Sequence, residues 1–177
     1  MNRGADRRDI FEHDTDRQVF LDSAVEAAKR YHLEIHAYCL MTNHFHMLLR
    51  SQNGQLAAGM QFLSGRFTRL VNVRAGRDGP LFRSRYASIS VASDTHLVQA
   101  CRYIHLNPAI AGMRPTAESW PWSSAAAYVG SVQAPAWLRT DHVLELFGPP
   151  DPLAGYRDFM KSRTDDATLN FYAKLGW

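Results

Sequence analysis

Two strand-like segments bracketed by helical stripes organise the first half of the chain. A Thr-x-x-Gln capping box at residues 15–18 opens a helix whose apolar positions Val19, Phe20, Ala24, Ala27, Ala28 and Tyr31 recur at helical spacing. Leu33–Leu40 reads as a strand, residues 41–43 as a tight turn, and residues 44–50 as the return strand of an antiparallel hairpin. Ser51-Gln52-Asn53-Gly54 breaks the chain. A second helix follows, with a stripe of Leu56, Met60, Leu63, Phe67 and Leu70, and ends near Ala75-Gly76. After the Asp78-Gly79-Pro80 loop, residues 81–91 read as a further strand with Arg83 and Arg85 on one face. Ser93-Asp94 caps a third helix that Pro108 limits at Asn107. Past Gly112, Trp120-Pro121-Trp122-Ser123-Ser124 forms a rigid aromatic turn into a short helix at residues 125–129. Gly148-Pro149-Pro150-Asp151-Pro152 is a linker before a last helical piece. Helix, strand, strand, helix, strand, helix is the ferredoxin-like β-α-β-β-α-β order without its leading strand, which would lie before Arg3.

Residues two apart in a strand share a face. His44 and His46 therefore project side by side, while Phe45 points the other way into the core. Two imidazoles held this way can share one divalent metal, and such a metal could polarise a phosphate. Paired surface histidines usually bind nothing, so the surroundings decide what this pair means.

The chain has 177 residues, 46% of them hydrophobic, which suits one domain with a real core and a small appendage. No apolar run is long enough to span a bilayer, and the polar N-terminus does not look like a signal peptide. Cys39 and Cys101 sit at apolar-face positions and read as reduced core thiols. A cytoplasmic, nucleoid-associated protein with no membrane partner is expected. The formal net charge is only +3, but residues 35–93 hold a single acidic side chain, Asp78, against Arg50, Arg66, Arg69, Arg74, Arg77, Arg83 and Arg85. Arginine's planar fork suits bidentate phosphate contacts. A solvated face is the plain alternative; so one-sided a segment around a candidate metal site favours a phosphate-binding surface.

On the third helix, at about 100° per residue, Leu97, Cys101 and Ile104 form the apolar stripe. Tyr103 lies off it, toward Gln99 and Asn107, where it could face solvent or a cleft. Asn107 is one turn on and offers a carbonyl oxygen beside it. His105 falls on nearly the opposite side and is not expected to be a ligand. An isolated Tyr-x-x-x-Asn is ordinarily packing plus a helix end; its occurrence with the histidine pair in one small basic domain makes it of interest.

Together these residues resemble a known family. His44-Phe45-His46 resembles the HUH motif (histidine, hydrophobic, histidine), and residues 37–49 are similar to the IS200-like single-tyrosine transposases. Residues 102–112 and the Trp-Pro-Trp-Ser-Ser segment resemble their REP-associated branch, so the likeness runs from Asn2-Arg3-Gly4 to about Gly148. The resemblance implies an α+β fold: a ferredoxin-like antiparallel sheet with helices on one face, a tyrosine-bearing helix and a C-terminal helical extension. It leaves room for a missing first strand, whose uncovered edge could pair with another molecule. An HUH-type domain at residues 1–113 and an extension at residues 114–177 packed on it are expected.

The activity implied is that of a metal-dependent endonuclease and transesterase on single-stranded DNA, nicking and rejoining it. Tyr103 would be the nucleophile, giving a 5′-phosphotyrosine and a free 3′-hydroxyl. His44 and His46 would hold the metal, Mg2+ or Mn2+, and Asn107 would add a third ligand. The arginines named above would hold DNA, which in that branch is a short palindromic hairpin from repetitive sequence. The protein would act as a monomer or homodimer. No P-loop is present, so no ATP is expected. Trp120 and Trp122 could stack on bases, although packing is the plainer role. Other readings are a DNA-hairpin-binding protein without cleavage, derived from such a transposase, and a phosphoesterase using water as nucleophile. A protein-binding scaffold would leave the arginine-rich middle unexplained, and no third histidine with a glutamate supports a cupin-like metal protein.

Overall fold

The computed structural model describes residues 1–162 and Tyr172, and the chain forms two compact units. The first comprises Met1–Ile35 and Leu40–Ser88; the second comprises His36–Cys39 and the chain from Ile89 onward. The architecture is α+β, with a three-stranded sheet in the order β1-β3-β2. These strands are β1 (Asn2–Arg3), β2 (Leu33–Leu40) and β3 (His44–Ser51), and β1 runs antiparallel to β3.

In the first unit, Phe45 of β3 is fully buried against Phe20 of α1 (Asp14–Tyr31), with ring centroids 4.6 Å apart. Phe67 of α2 (Leu56–Ala75) meets Phe20 edge-on at 5.1 Å, and Phe11 packs on both. Both helices thus cover the Phe45 face of the sheet, and this aromatic cluster is the core. The stripe of α2 is as expected through Met60, Leu63 and Phe67, but its last buried position is Val71; Leu70 is half-buried.

The start of α1 differs from the expected Thr15–Gln18 box. His13 is the N-cap, and the carboxylate of Asp16, three residues on, accepts the backbone N–H groups of Glu12 (3.0 Å) and His13 (2.9 Å). Asp16 also pairs with Arg74 of α2. A carboxylate at the positive end of a helix that also meets an arginine outcompetes a neutral glutamine for the cap.

The expected strand at residues 81–91 is not a strand. It forms one bridge, Phe82 with Gly4, and single hydrogen bonds around it. Ala5 N donates to Leu81 O (3.0 Å), Arg83 N to Arg3 O (2.9 Å) and Ala87 N to Met1 O (2.9 Å). The pairing follows one register through Arg83 and has slipped by two residues at Ala87. The cause is its partner: β1 is two residues long, too short to template a regular ladder. The first strand is therefore present, though minimal, and residues 81–87 lie along its outer edge, which is not left open.

The second unit is built on α3 (Asp94–Ile110), capped as expected by Ser93, whose Oγ accepts from His96 N at 3.2 Å. Pro108 does not stop the helix, which runs on to Ile110. Residues 100–105, with Asn107 and Pro108, are buried, so α3 is enclosed nearly all round rather than along one stripe. The short α4 (Ala125–Tyr128) and α6 (Pro152–Lys161) pack with it, and α5 (Asp141–Leu144) lies between these two in sequence. The Trp-Pro-Trp-Ser-Ser turn pins the middle of β2: Cys39 bridges Ser123, Ser124 N donates to Tyr38 O (3.0 Å), and Tyr128 OH donates to His36 O (2.8 Å). Trp120 is buried with the Arg114 guanidinium over its ring, and both cysteines are free and buried. Among the described residues, no helix is long and apolar enough to cross a membrane.

Asp16 carries two capping bonds and an ion pair from a buried position. Asp16→Ala is expected to cost about 2–4 kcal/mol in urea unfolding, by loss of the cap and of a carboxylate that faces Arg74. A loss under about 0.5 kcal/mol would show that this contact does not hold α1 to α2.

Candidate functional site

Strand alternation delivers the histidine pair as the sequence implies. With Phe45 in the core, His44 and His46 lie on the opposite face, with ring centroids 5.0 Å apart and planes near perpendicular. His44 Nδ1 is 2.7 Å from Asn43 Oδ1, and Asn43 Nδ2 donates to Arg7 O at 3.1 Å. The second bond fixes the amide so that its oxygen faces the imidazole. His44 Nδ1 then donates to that oxygen. Holding one ring nitrogen to set the other for a metal is the usual support of a ligating histidine. Asn43 therefore has a positioning role that sequence reasoning missed; its place directly before His44 was the available signal.

His46 is fully buried, and its pKa lies well below the ordinary value. Burial is the main cause, reinforced by the charges of His44, the N-terminal amine and Arg3. A neutral imidazole at neutral pH is the form that ligates metals. A pair of imidazoles suits a divalent ion that keeps open positions for water or phosphate. Among the described residues, no cluster of three or more His, Cys, Asp or Glu side chains forms.

Tyr103 and Asn107 belong to the second unit. Asn107 Nδ2 donates to Tyr103 O at 2.9 Å, which directs the amide oxygen away from the helix backbone. Tyr103 is not open to solvent as its helical position suggests. It is 9% exposed and stacks on Tyr172, with ring centroids 4.4 Å apart and 17° between planes. Burial, then the neighbouring Tyr103, pushes the Tyr172 phenol up to about 12. No pattern in the sequence points to Tyr172, because its partner is 69 positions earlier.

His105 is buried in a directional hydrogen-bond chain. Ser124 Oγ donates to Tyr38 O (3.2 Å), so it accepts from His105 Nε2 (2.7 Å). His105 Nδ1 must then accept from Tyr156 OH (2.6 Å). Cys101 Sγ lies 3.5 Å from the same hydroxyl. This chain, with buried Arg102 bonding Ser162 O and lying over the Phe159 ring, fixes the helix that carries Tyr103. Both ring nitrogens of His105 are engaged in this chain.

The basic surface divides on inspection. Arg50 pairs with Glu34 (3.8 Å), Arg66 with Glu26 (3.2 Å), Arg77 with Glu12 (3.3 Å) and Arg74 with Asp16. Arg69, Arg83 and Arg85 are exposed and have no carboxylate partner among the described residues. The acid-poor segment therefore draws its counter-charges from residues 12–34, a pairing invisible in its own composition.

A family model described as "Transposase IS200 like" matches residues 1–107. A solved structure of a REP-associated tyrosine transposase bound to a REP hairpin superposes with a TM-score of 0.63 at 16% identity, covering 79% of this chain and 82% of that one. At that identity the likeness is one of fold. No curated protein matches the chain at a significant level.

Burial lowers the His105 pKa to about 3, so the folded state holds this ring neutral. The unfolded chain takes up the proton below the ordinary value of about 6.5. Stability from His105 is thus full above about pH 6.5 and is lost as pH falls toward 3, about 2 kcal/mol between pH 7.5 and 5. His46 shifts in the same direction and adds to the loss. In urea unfolding across this range, His105→Gln should show a flatter profile than the unaltered protein; an unchanged profile would remove His105 as the cause.

Proposed function

Because the chain belongs to the IS200-like transposase family, we propose that it is a metal-dependent endonuclease and transesterase on single-stranded, hairpin-forming DNA. The observation that carries this reading is the histidine pair, one ring oriented by Asn43 and the other held neutral. His44 and His46 would hold the divalent metal, Mg2+ or Mn2+, and Asn107 would add a further ligand through its amide oxygen. When bound, the ion supplies Lewis-acid polarisation of a non-bridging phosphate oxygen.

Tyr103 is assigned as the nucleophile. Its phenol, ordinarily with a pKa of about 10, must lose its proton as it attacks phosphorus in line. The oxygen–phosphorus bond formed replaces the one broken, giving a 5′-phosphotyrosine and a 3′-hydroxyl. One phosphodiester is exchanged for another, so the step is nearly energy-neutral and reversible and needs no ATP. Attack by the 3′-hydroxyl of a second strand returns the tyrosine and rejoins DNA. Tyr172 lies over the Tyr103 ring, so the phenolic oxygen meets DNA at the ring edge or after Tyr172 shifts. Arg69, Arg83 and Arg85 are the most available backbone contacts; Arg50, Arg66, Arg74 and Arg77 reach phosphate by exchanging a carboxylate for it.

The burial of Tyr103 favours a second reading, a hairpin-binding protein that does not cleave. The two separate on denaturing gels with an end-labelled hairpin oligonucleotide. Transesterase activity predicts a covalent adduct that Tyr103→Phe abolishes without weakening binding more than about twofold. A chelator should abolish the adduct and added Mn2+ should restore it. Binding without any adduct under Mg2+ or Mn2+ would establish the non-cleaving reading, and an adduct that survives Tyr103→Phe would assign a different nucleophile. Binding should weaken steeply with salt, and Arg69→Gln should reduce the slope of log K against log salt by about 1.

A further inference from the structure

The residue directly across from His44 is Arg3, paired with it in the β1–β3 register, as Asn2 is paired with Phe45. Directly opposed residues of antiparallel strands project from the same face. Arg3 therefore stands on the face of His44 and His46, not on the face of Phe45. Its charge is among those that disfavour protonation of His46, which agrees with this placement. Beyond β1, Phe82 bridges Gly4 and meets the Phe45 ring at 6.0 Å on the core face. The next residue, Arg83, donates its N–H to Arg3 O and falls opposite Arg3 on the histidine face. His44, Arg3 and Arg83 thus form one row across the sheet, neighbours about 5 Å apart.

Arg3 differs from the four carboxylate-paired arginines of residues 50–77 in how its charge is met. Arg50, Arg66, Arg74 and Arg77 each have a carboxylate. Arg3 has none among the described residues, it is half-buried, and its buried Nε has no hydrogen-bond acceptor. A guanidinium whose Nε is shut off from water without an acceptor is costly to hold, and imidazole rings beside it bring no negative charge to offset it. The site is thus suited to an anion arriving from outside. A phosphodiester suits this chemistry: a non-bridging oxygen can accept from the guanidinium fork, and the imidazoles on the same face would hold a cation.

We infer that Arg3 is a catalytic residue whose guanidinium binds a non-bridging oxygen of the scissile phosphodiester beside His44 and His46, with Arg83 extending the anion-binding row outward. The phosphate is the scissile one only on the transesterase reading; the anion site itself does not depend on it. Arg3 would hold the phosphate in line and stabilise the charge gathering on its oxygens as the nucleophile attacks.

The first test is thermal melting of the full chain and Arg3→Gln, without metal, in buffer with and without inorganic phosphate. Phosphate should raise the melting temperature of the unaltered protein by about 2 °C more than that of Arg3→Gln, a difference free of phosphate's general salting effect. In phosphate-free buffer Arg3→Gln should melt no lower, since it removes an uncompensated charge. Equal phosphate responses, or a marked drop for Arg3→Gln in phosphate-free buffer, would overturn the inference in favour of a structural arginine. The second test is adduct formation at saturating hairpin oligonucleotide. Arg3→Gln should slow it by about 100-fold or more, and Arg3→Lys by about tenfold, because charge remains and the fork is lost. Wild-type rates in either variant would overturn the catalytic role, and Arg3→Lys carries both tests if Arg3→Gln does not fold. If the unaltered protein forms no adduct, the transesterase reading fails while the thermal response to phosphate still decides the anion site.

Discussion

The burial of Phe45 against Phe20 is the contact on which the candidate chemistry depends. A strand presents successive side chains to opposite faces, so anchoring one position fixes its neighbours. With Phe45 in the aromatic core of α1 and α2, His44 and His46 have only the other face to occupy. A register slip of one residue would send the imidazoles into that core and the phenyl ring out of it. Burying Phe45 fully, worth on the order of 2–3 kcal/mol by transfer alone, thus stabilises the fold and orients the two imidazoles at once.

The same strand carries that constraint outward. Because β1 lies against β3 in a single register, Arg3 inherits the histidine face and Asn2 the core face. A two-residue strand would be a poor element by itself. Here residues 81–87 lie along its outer side by hydrogen bonds from Ala5, Arg83 and Ala87. The pairing need not be regular to work, since one bridge at Gly4 and Phe82 sets which side chains face which way. In the second unit the fixing device is polar instead. His105, Tyr156, Ser124 and Tyr38 form a hydrogen-bond sequence with one consistent direction, and it holds α3 in place. Burial keeps His105 neutral, and a neutral ring can donate from one nitrogen and accept at the other, as this chain requires.

Membership of the IS200-like family and the fold likeness to a hairpin-bound REP-associated transposase agree with the resemblance drawn from the His44–His46 and Tyr103–Asn107 segments. The structure adds residues around those segments. Asn43 orients an imidazole, Tyr172 covers the ring of Tyr103, and Arg3 brings a charge without a carboxylate partner among the described residues to the histidine face. These contacts change what the motif residues can do. An oriented, neutral imidazole is a better metal ligand than an exposed one, and a covered phenol is less accessible than its helical position alone suggests.

Local order was legible in the sequence because it is set by neighbours within a few residues. The period-two placement of His44, Phe45 and His46, the bounds of β2, the stripe of α2 and the Ser93 cap all follow from side chains acting on the backbone beside them. Whatever depended on a distant partner was not. Asp16 displaced the Thr15–Gln18 cap because Arg74, far along the chain, meets it. Residues 81–91 failed as a strand because the strand they border is only two residues long. Pro108 did not end α3, since a helix packed on nearly every side can lose one backbone hydrogen bond and continue. Four arginines of the acid-poor segment found carboxylates in residues 12–34. Charge balance and burial are properties of three-dimensional neighbourhoods, whereas periodicity belongs to the chain itself; that is why the sequence alone determined most of the elements and the facing of the histidine pair, and only the tertiary structure decided which arginines met a carboxylate.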